Sequence, residues 1–236
     1  MFGDTKDILK QLEMIVHRGY NPRTVFEDWV SLMFWALQRN DEEYLKIVRR
    51  YRNERPKGER EIDYFCHAFG LLMKKMAETN RELLGELYMT WEVENKYAGQ
   101  FFTPWSVASF MAQVLNPAGE AINDCCCGSG VMLIAACKTM TNEQLDKALF
   151  VGQDIDFTCV MMCALNLTFF NLNGYVIWGN SLAMERKRIF RTTRSYMGGS
   201  IEEIPVESIE PAIIETVKKE VVRIEEVRRL IQPVLF

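Results

Sequence analysis

The first 95 residues place apolar side chains at helical spacing. Over residues 25–38, for example, one face of a helix would carry Phe26, Trp29, Val30 and Met33. No segment here shows the regular alternation of apolar and polar residues that is typical of a half-buried strand. The pattern therefore predicts an all-α N-terminal domain over residues 1–95.

The pattern changes beyond residue 95. Three short apolar runs, at 121–124, 148–154 and 175–180, are separated by segments with helical spacing. Strands that alternate with helices pair in parallel and form a wound sheet. The segment 157–170 is apolar almost all round, which predicts a buried helix. We therefore expect an α/β domain over residues 96–200, with three recognisable strands.

The C-terminal segment, residues 201–236, has a third pattern. Residues 210–231 are rich in charge, and apolar residues recur among them at helical spacing: Ile213, Ile214, Val217, Val221, Ile224, Val227 and Leu230. This predicts an amphipathic helix packed on the rest of the chain. A coiled-coil-like contact with a partner is the alternative.

Composition narrows the classes of protein. The net charge of −4 argues against a chain that binds nucleic acid over its whole surface. One basic stretch, residues 185–194, is either a local basic patch or a solvated loop or helix face. No run is long and apolar enough to span a membrane. Seven cysteines, three of them adjacent, indicate a reducing setting, and we expect a cytoplasmic protein.

The most informative segment runs from residue 121 to residue 140. An apolar run ends in Asp124, a turn contains Gly128 and Gly130, and an apolar helical segment follows. Glycines leave the backbone open to close approach, as in loops that cradle nucleotide-like cofactors. The sequence therefore predicts a ligand of that kind at this loop.

Acidic residues at the strand ends are candidates for contacts with such a ligand. Asp124 would bond an amine of the ligand or the adjacent loop. Asp154 ends the next strand, where a carboxylate can accept the hydroxyl groups of a ribose. Asp156 competes for that role, and either of these two aspartates could instead cap the following helix.

The adjacent cysteines, Cys125 to Cys127, suggest a metal site at first sight. Successive side chains of an extended run point in opposite directions, so the three sulfurs cannot converge on one ion. The chain has only two histidines, His17 and His67, and both lie in the helical part. We therefore predict no metal site, and expect the cysteines to be small, buried packing residues.

Four motifs resemble a known family in their order and spacing. They lie at residues 99–104 (GQFFTP), 124–130 (DCCCGSG), 152–156 (GQDID) and 179–182 (GNSL). They are similar to the S-adenosylmethionine motifs of N6-adenine DNA methyltransferases, and especially of the modification subunit of type I restriction-modification systems. The resemblance implies a Rossmann-like methyltransferase sheet, preceded by a helical region.

The resemblance also implies the cofactor, S-adenosylmethionine, and a role for each matching residue. Phe102, Thr103 and Pro104 would line its methionine end. Asp154 would hold the ribose, while Ile155 and Asn180 would lie at the adenine. The main cofactor loop would consist of Asp124, Cys127, Gly128, Ser129 and Gly130.

The chain also departs from the family pattern. Members carry Asn or Asp, then Pro-Pro and an aromatic residue, to hold the flipped target adenine. This sequence contains no Pro-Pro, so no catalytic residue is assigned. With only three strands expected, the sheet would be reduced and its first strand would be an open edge. Such an edge needs cover, which the C-terminal helix, a second copy of the chain or a partner could supply, and we expect a homo-oligomer or an accessory subunit.

Three functions follow from the resemblance and these departures. The first is a DNA adenine-N6 methyltransferase-like protein of a restriction-modification or mobile-element system, reaching DNA through a partner specificity subunit. The second is a catalytically inactive cofactor-binding or scaffold subunit that acts with a partner. The third is a methyltransferase that acts on a substrate other than DNA.

Overall fold

The computed structural model describes residues 5–92, 101–117 and 121–208. The first of these ranges contains five helices: α1 (Lys6–Val16), α2 (Pro22–Gln38), α3 (Asp41–Val48), α4 (Glu61–Thr79) and α5 (Leu84–Glu92). The helical character predicted for this part is confirmed. α2 begins at Pro22 because Asn21 caps it, its side chain accepting a hydrogen bond from Thr24 N (3.3 Å).

The second part of the chain forms a five-stranded sheet. Its strands are β1 (Ala121–Asp124), β2 (Leu149–Asp154), β3 (Gly174–Trp178), β4 (Arg188–Thr193) and β5 (Ser200–Ile204). They lie side by side in the order of the sequence. β1, β2 and β3 run parallel, as predicted, whereas β4 and β5 are antiparallel to their neighbours. The predicted α/β fold is confirmed.

Our expectations about this sheet were wrong in part. The sheet has five strands rather than three, and the basic stretch at 185–194, for which a solvated loop or helix face was one alternative, contains β4 between irregular ends. Arg188 and Arg191 are paired across the ladder with Glu203 and Glu202 of β5. These cross-strand ion pairs offset much of the positive charge.

Four more helices surround the sheet: α6 (Trp105–Leu115), α7 (Val131–Cys137), α8 (Asn142–Lys147) and α9 (Phe157–Phe169). α9 is buried on nearly every side, as its apolar sequence predicts, because it lies between the sheet and α2. α6 begins at Trp105. Pro104 is its N-cap residue, and no side chain caps the helix.

The helical part and the sheet share one hydrophobic core. A single cluster of buried side chains extends from Ile8 in α1 to Ile201 in β5. Because successive strand residues face opposite ways, the other face of the sheet carries a smaller cluster around Val151, Ile177 and Ile189. The predicted domain boundaries at 95 and 200 stay predictions. The helix expected at 210–231 lies outside the described residues.

β1 lies at one edge of the sheet. Within the described ranges it pairs only with β2. α6 packs beside it on α7 through small side chains, and the opposite face of α6 exposes a row of apolar residues: Val107, Phe110, Met111, Val114 and Leu115. The open first-strand edge expected from the sequence is therefore present in this part of the chain.

Candidate functional site

The turn between β1 and α7 depends on two glycines in the left-handed region. Gly128 has φ of 52° and Gly130 has φ of 84°, which side chains rarely tolerate. A Cβ atom on Gly130 would lie 2.8 Å from Cys163 Sγ, and one on Gly128 would lie 3.1 Å from the ring of Phe102. The predicted glycine loop thus needs glycine for backbone conformation and for space.

Asp154 joins this loop to the end of β2. Its Oδ2 accepts a hydrogen bond from Gly128 N (2.9 Å), and its Oδ1 accepts one from Asp156 N (2.9 Å). Asp156 caps α9 through Thr158 N (2.7 Å) and Cys159 N (3.4 Å). Of the two aspartates that the sequence left as possible caps, Asp156 therefore caps the helix. The ribose role of Asp154 stays a prediction.

The other predicted residues of the strand ends also lie at the carboxyl ends of the parallel strands. Asp124 Oδ1 accepts a hydrogen bond from Cys126 N (3.2 Å), so it bonds the adjacent loop. Burial and the neighbouring Asp154 raise the pKa of Asp124. Asn180 Oδ1 accepts hydrogen bonds from Leu182 N (3.0 Å) and Ala183 N (3.3 Å). Ile155 is largely exposed. We call Asp124, Asp154, Ile155 and Asn180 the outer side of the site.

A cavity of about 390 Å³ lies on the other side of the glycine loop. Phe102, Thr103, Pro104 and Ser129 line it, so the structure brings the first predicted motif to the loop. Gly99 and Gln100, which begin that motif, lie outside the described residues. The ring of Phe102 stacks on the ring of Tyr88, with 5.1 Å between the ring centroids. We call this cavity and its lining the inner side of the site.

Our sequence reasoning missed two residues of the inner side, Glu82 and Asn166. Glu82 Oε1 accepts hydrogen bonds from Gly85 N (2.5 Å) and from Asn166 Nδ2 (3.0 Å). Asn166 Nδ2 also donates to Ser129 O (2.8 Å), which ties α9 to the glycine loop. Burial raises the pKa of Glu82 to about 7. A polar Asn inside the apolar α9 was the available signal, because buried polar groups are normally bonded.

The expectation that all three adjacent cysteines are buried was wrong. Cys125 and Cys126 are exposed because the chain turns away from the sheet directly after Asp124. Cys127 is buried, and its contact with Cys163, together with burial, raises the pKa of the Cys127 thiol. Within the described residues, no group of histidine, cysteine and acidic side chains is arranged to hold a metal ion.

The site thus combines a loop with two glycines at positive φ, an aspartate that holds it, and a cavity lined by the Phe-Thr-Pro segment. Residues 87–196 match the model of the N-6 DNA Methylase family. The family resemblance predicted from the four motifs is confirmed for this segment. Every predicted site residue, from Phe102 to Asn180, lies within the N-6 DNA Methylase match, whereas Glu82 precedes it.

Two curated relatives are named as methylase subunits of type I restriction enzymes. The type I restriction enzyme MjaIX methylase subunit of Methanocaldococcus jannaschii is 28% identical over 122 residues, which cover 46% of this chain and 22% of that protein. The type I restriction enzyme MpnII methylase subunit of Mycoplasma pneumoniae is 27% identical over 81 residues, covering 33% and 15%. The chain therefore spans less than a quarter of either relative's length.

Two solved structures also resemble the chain. One is a modification subunit assigned to a type I restriction enzyme of Vibrio vulnificus YJ016, with 16% identity and a TM-score of 0.46, covering 76% of this chain and 56% of that one. The other is a type I restriction-modification methyltransferase subunit of Streptococcus thermophilus, with 15% identity and a TM-score of 0.36, covering 76% and 58%. In the described part of the chain, no helix has the length and apolar character to cross a membrane.

Proposed function

We propose that this chain binds S-adenosylmethionine and forms the cofactor-binding part of a DNA adenine-N6 methyltransferase of the restriction-modification type. The observation that carries the proposal is the bond from Gly128 N to Asp154, beside a cavity lined by Phe102 to Pro104. The family match over residues 87–196 supports it.

The residues present fit such a cofactor in three respects. The cavity volume lies within the range of small-molecule sites. The buried Ser129 Oγ has no well-formed hydrogen-bond partner in the described ranges, so it can bond a ligand. Both glycines keep the loop backbone bare. The proposed contacts are Phe102, Thr103, Pro104, Asp124, Cys127, Gly128, Ser129, Gly130, Asp154, Ile155 and Asn180.

Within this proposal the two sides of the site have different tasks. S-adenosylmethionine, when bound, supplies the methyl group that is transferred. The inner side would hold its methionine end and exclude water from it. On the outer side, Asp154 would orient the ribose while its bond to Gly128 N keeps the loop in register. Asn180 and Ile155 would face the adenine.

Calorimetric titration with S-adenosylmethionine tests the proposal. We expect the wild type to bind, and Asp154→Ala to bind at least about tenfold more weakly, because a charged hydrogen-bond acceptor is lost. Asp156→Ala is the matched control: it removes a carboxylate two residues away that caps α9 and does not bond the loop. Absence of binding heat in the folded wild type would refute the proposal.

One observation favours a second candidate, a cofactor-binding subunit without catalysis of its own. The sequence has no Pro-Pro and therefore lacks the expected motif for the target adenine. Incubation with labelled S-adenosylmethionine and mixed-sequence DNA separates the two functions. Label in the DNA supports the methyltransferase. Binding of the cofactor without label in the DNA supports the second candidate.

The open edge of β1 supports the proposal of a partner. Parallel strands are normally covered, and the exposed apolar row of α6 lies beside this edge. We propose that a second copy or an accessory subunit covers it. Light scattering tests the first option: a species larger than the 27.5 kDa of one chain is expected, and Phe110→Ser should shift it towards monomer.

A further inference from the structure

The inner side contains a carboxylate that is buried yet borders the cavity. Glu82 is only 3% exposed and lies in the cavity wall. Two hydrogen bonds, from Gly85 N and Asn166 Nδ2, fix its Oε1. Both donors are neutral amides. In the described ranges, Glu82 therefore has no cationic partner.

The other charged groups of the cavity do not compensate for it. Arg81 and Glu86 also line the cavity, but they pair with each other at 2.8 Å. A buried negative charge without a counter-ion is costly unless a bound group supplies one. A ligand with a small cationic group would therefore supply the counter-ion that Glu82 lacks.

The remaining walls restrict the shape of that ligand. They are mainly apolar and aromatic, with Met89, Phe102, Trp105 and Val131 among them. The buried Ser129 hydroxyl lies beside the Glu82 carboxylate and adds one polar group to this wall. An apolar chain that ends in a cationic hydrogen-bond donor matches this combination. An ammonium group has N–H donors for a carboxylate, whereas a sulfonium has none.

We infer that Glu82 binds the α-ammonium group at the amino-acid end of the cofactor, in the cavity beside Ser129. This inference rests on the proposed function, and it adds a binding residue outside the segment that matches the family. It also gives Asn166 a reason to lie inside α9, since its amide holds the carboxylate and the glycine loop together.

Calorimetry with two ligands and three proteins tests the inference. The ligands are S-adenosylmethionine and its analogue without the α-amino group. The proteins are the wild type, Glu82→Gln and the control Glu61→Gln, whose carboxylate is also buried but pairs with Arg18 and does not line the cavity. We expect the wild type to bind the analogue at least about tenfold more weakly. Glu82→Gln should bind both ligands with similar, weakened affinity, and Glu61→Gln should bind them as the wild type does.

The outcomes separate this inference from the proposed function. If the wild type binds S-adenosylmethionine and its analogue equally well, the inference is overturned while the proposed function stands. This comparison does not depend on the folding of a variant. A folded Glu82→Gln that still distinguishes the ligands also overturns it. If the wild type binds neither ligand, the proposed function fails as well.

Discussion

The inner and outer sides of the site are built by different means. On the outer side, backbone N–H groups of the loops beside the sheet hold the side chains: Asn180 bonds its own turn, and Asp154 bonds the glycine loop, 26 positions away in sequence. On the inner side, Glu82 meets Asn166, which is 84 positions away in sequence. The outer side therefore forms within the α/β part, at the ends of paired strands, whereas the inner side exists only when the helical part packs on α9. The inner side should respond more strongly to changes in global stability.

The largest expected effect is the pH dependence that Glu82 gives to folding. Its pKa is raised from 4.5 to about 7 in the folded protein, so the folded state holds the proton more tightly. Its contribution to stability is complete below pH 4.5 and is lost as pH rises through about 7. The difference amounts to roughly 3 kcal/mol. Urea unfolding from pH 5 to 8, compared with Glu82→Gln, measures it.

The comparison with Glu82→Gln is needed because burial also raises the pKa of Asp28 and Asp124, which add their own pH dependence. Both of these groups remain in Glu82→Gln, so their contribution cancels in the difference between the two proteins. Parallel pH profiles for the wild type and the variant would contradict the prediction.

A smaller effect is expected at the loop that separates the two sides. Gly130→Ala would place a methyl group 2.8 Å from Cys163 Sγ in a left-handed backbone conformation, and should cost about 2 to 3 kcal/mol of unfolding free energy. Gly19→Ala is the control, because its φ is also positive, at 97°, but no atom lies within 4 Å of the added Cβ. It should cost only about 1 kcal/mol. Equal losses would show that space at Gly130 is unimportant.

The aromatic stack of the inner side should contribute less. Phe102→Leu removes the ring that stacks on Tyr88 and covers Gly128, at an expected cost of about 1 kcal/mol in unfolding free energy. Phe101→Leu changes the neighbouring ring, which is 88% exposed, and should cost almost nothing. Thermal unfolding of both variants checks the contrast, which fails if Phe101→Leu is the more damaging change.

The smallest effect is expected on the outer side. Asn180→Ala removes the acceptor for Leu182 N and Ala183 N at a solvated turn, and should cost about 0.5 kcal/mol. Asn180→Asp keeps an acceptor and should retain wild-type stability. Chemical unfolding distinguishes them. A loss larger than that of Phe102→Leu would reverse the order that we assign to the two sides.

The turn of the glycine loop could be predicted because its geometry is local, whereas Ile155 and Asn180 were proposed from the family resemblance. A strand that ends in Asp and is followed by Gly128 and Gly130 specifies its own turn. Glu82 could not be predicted, since its role depends on a contact with α9 that no local pattern encodes. The Asp154 and Asp156 alternatives also required the structure, because both residues suit a cap.

The two extra strands were missed for a different reason. β4 carries two arginines and β5 two glutamates, which suggest solvent-exposed segments until the strands are paired. The signals that were available are the β-branched and aromatic residues of β4 and the Gly198-Gly199 pair between the strands. The opposite charges of Arg191 and Glu202 were a further signal that β4 and β5 pair with each other.

The shared core also bears on how such a protein can be rearranged by recombination. α9 is enclosed by the sheet on one side and by α2 on the other. A crossover near residue 95 that exchanged the helical part would expose the buried flank of α9, including Met161 and Leu165, unless the incoming helices matched its shape. We therefore expect the two parts to be exchanged together. Substitutions along the contact between α2 and α9 have to be compatible on both helices.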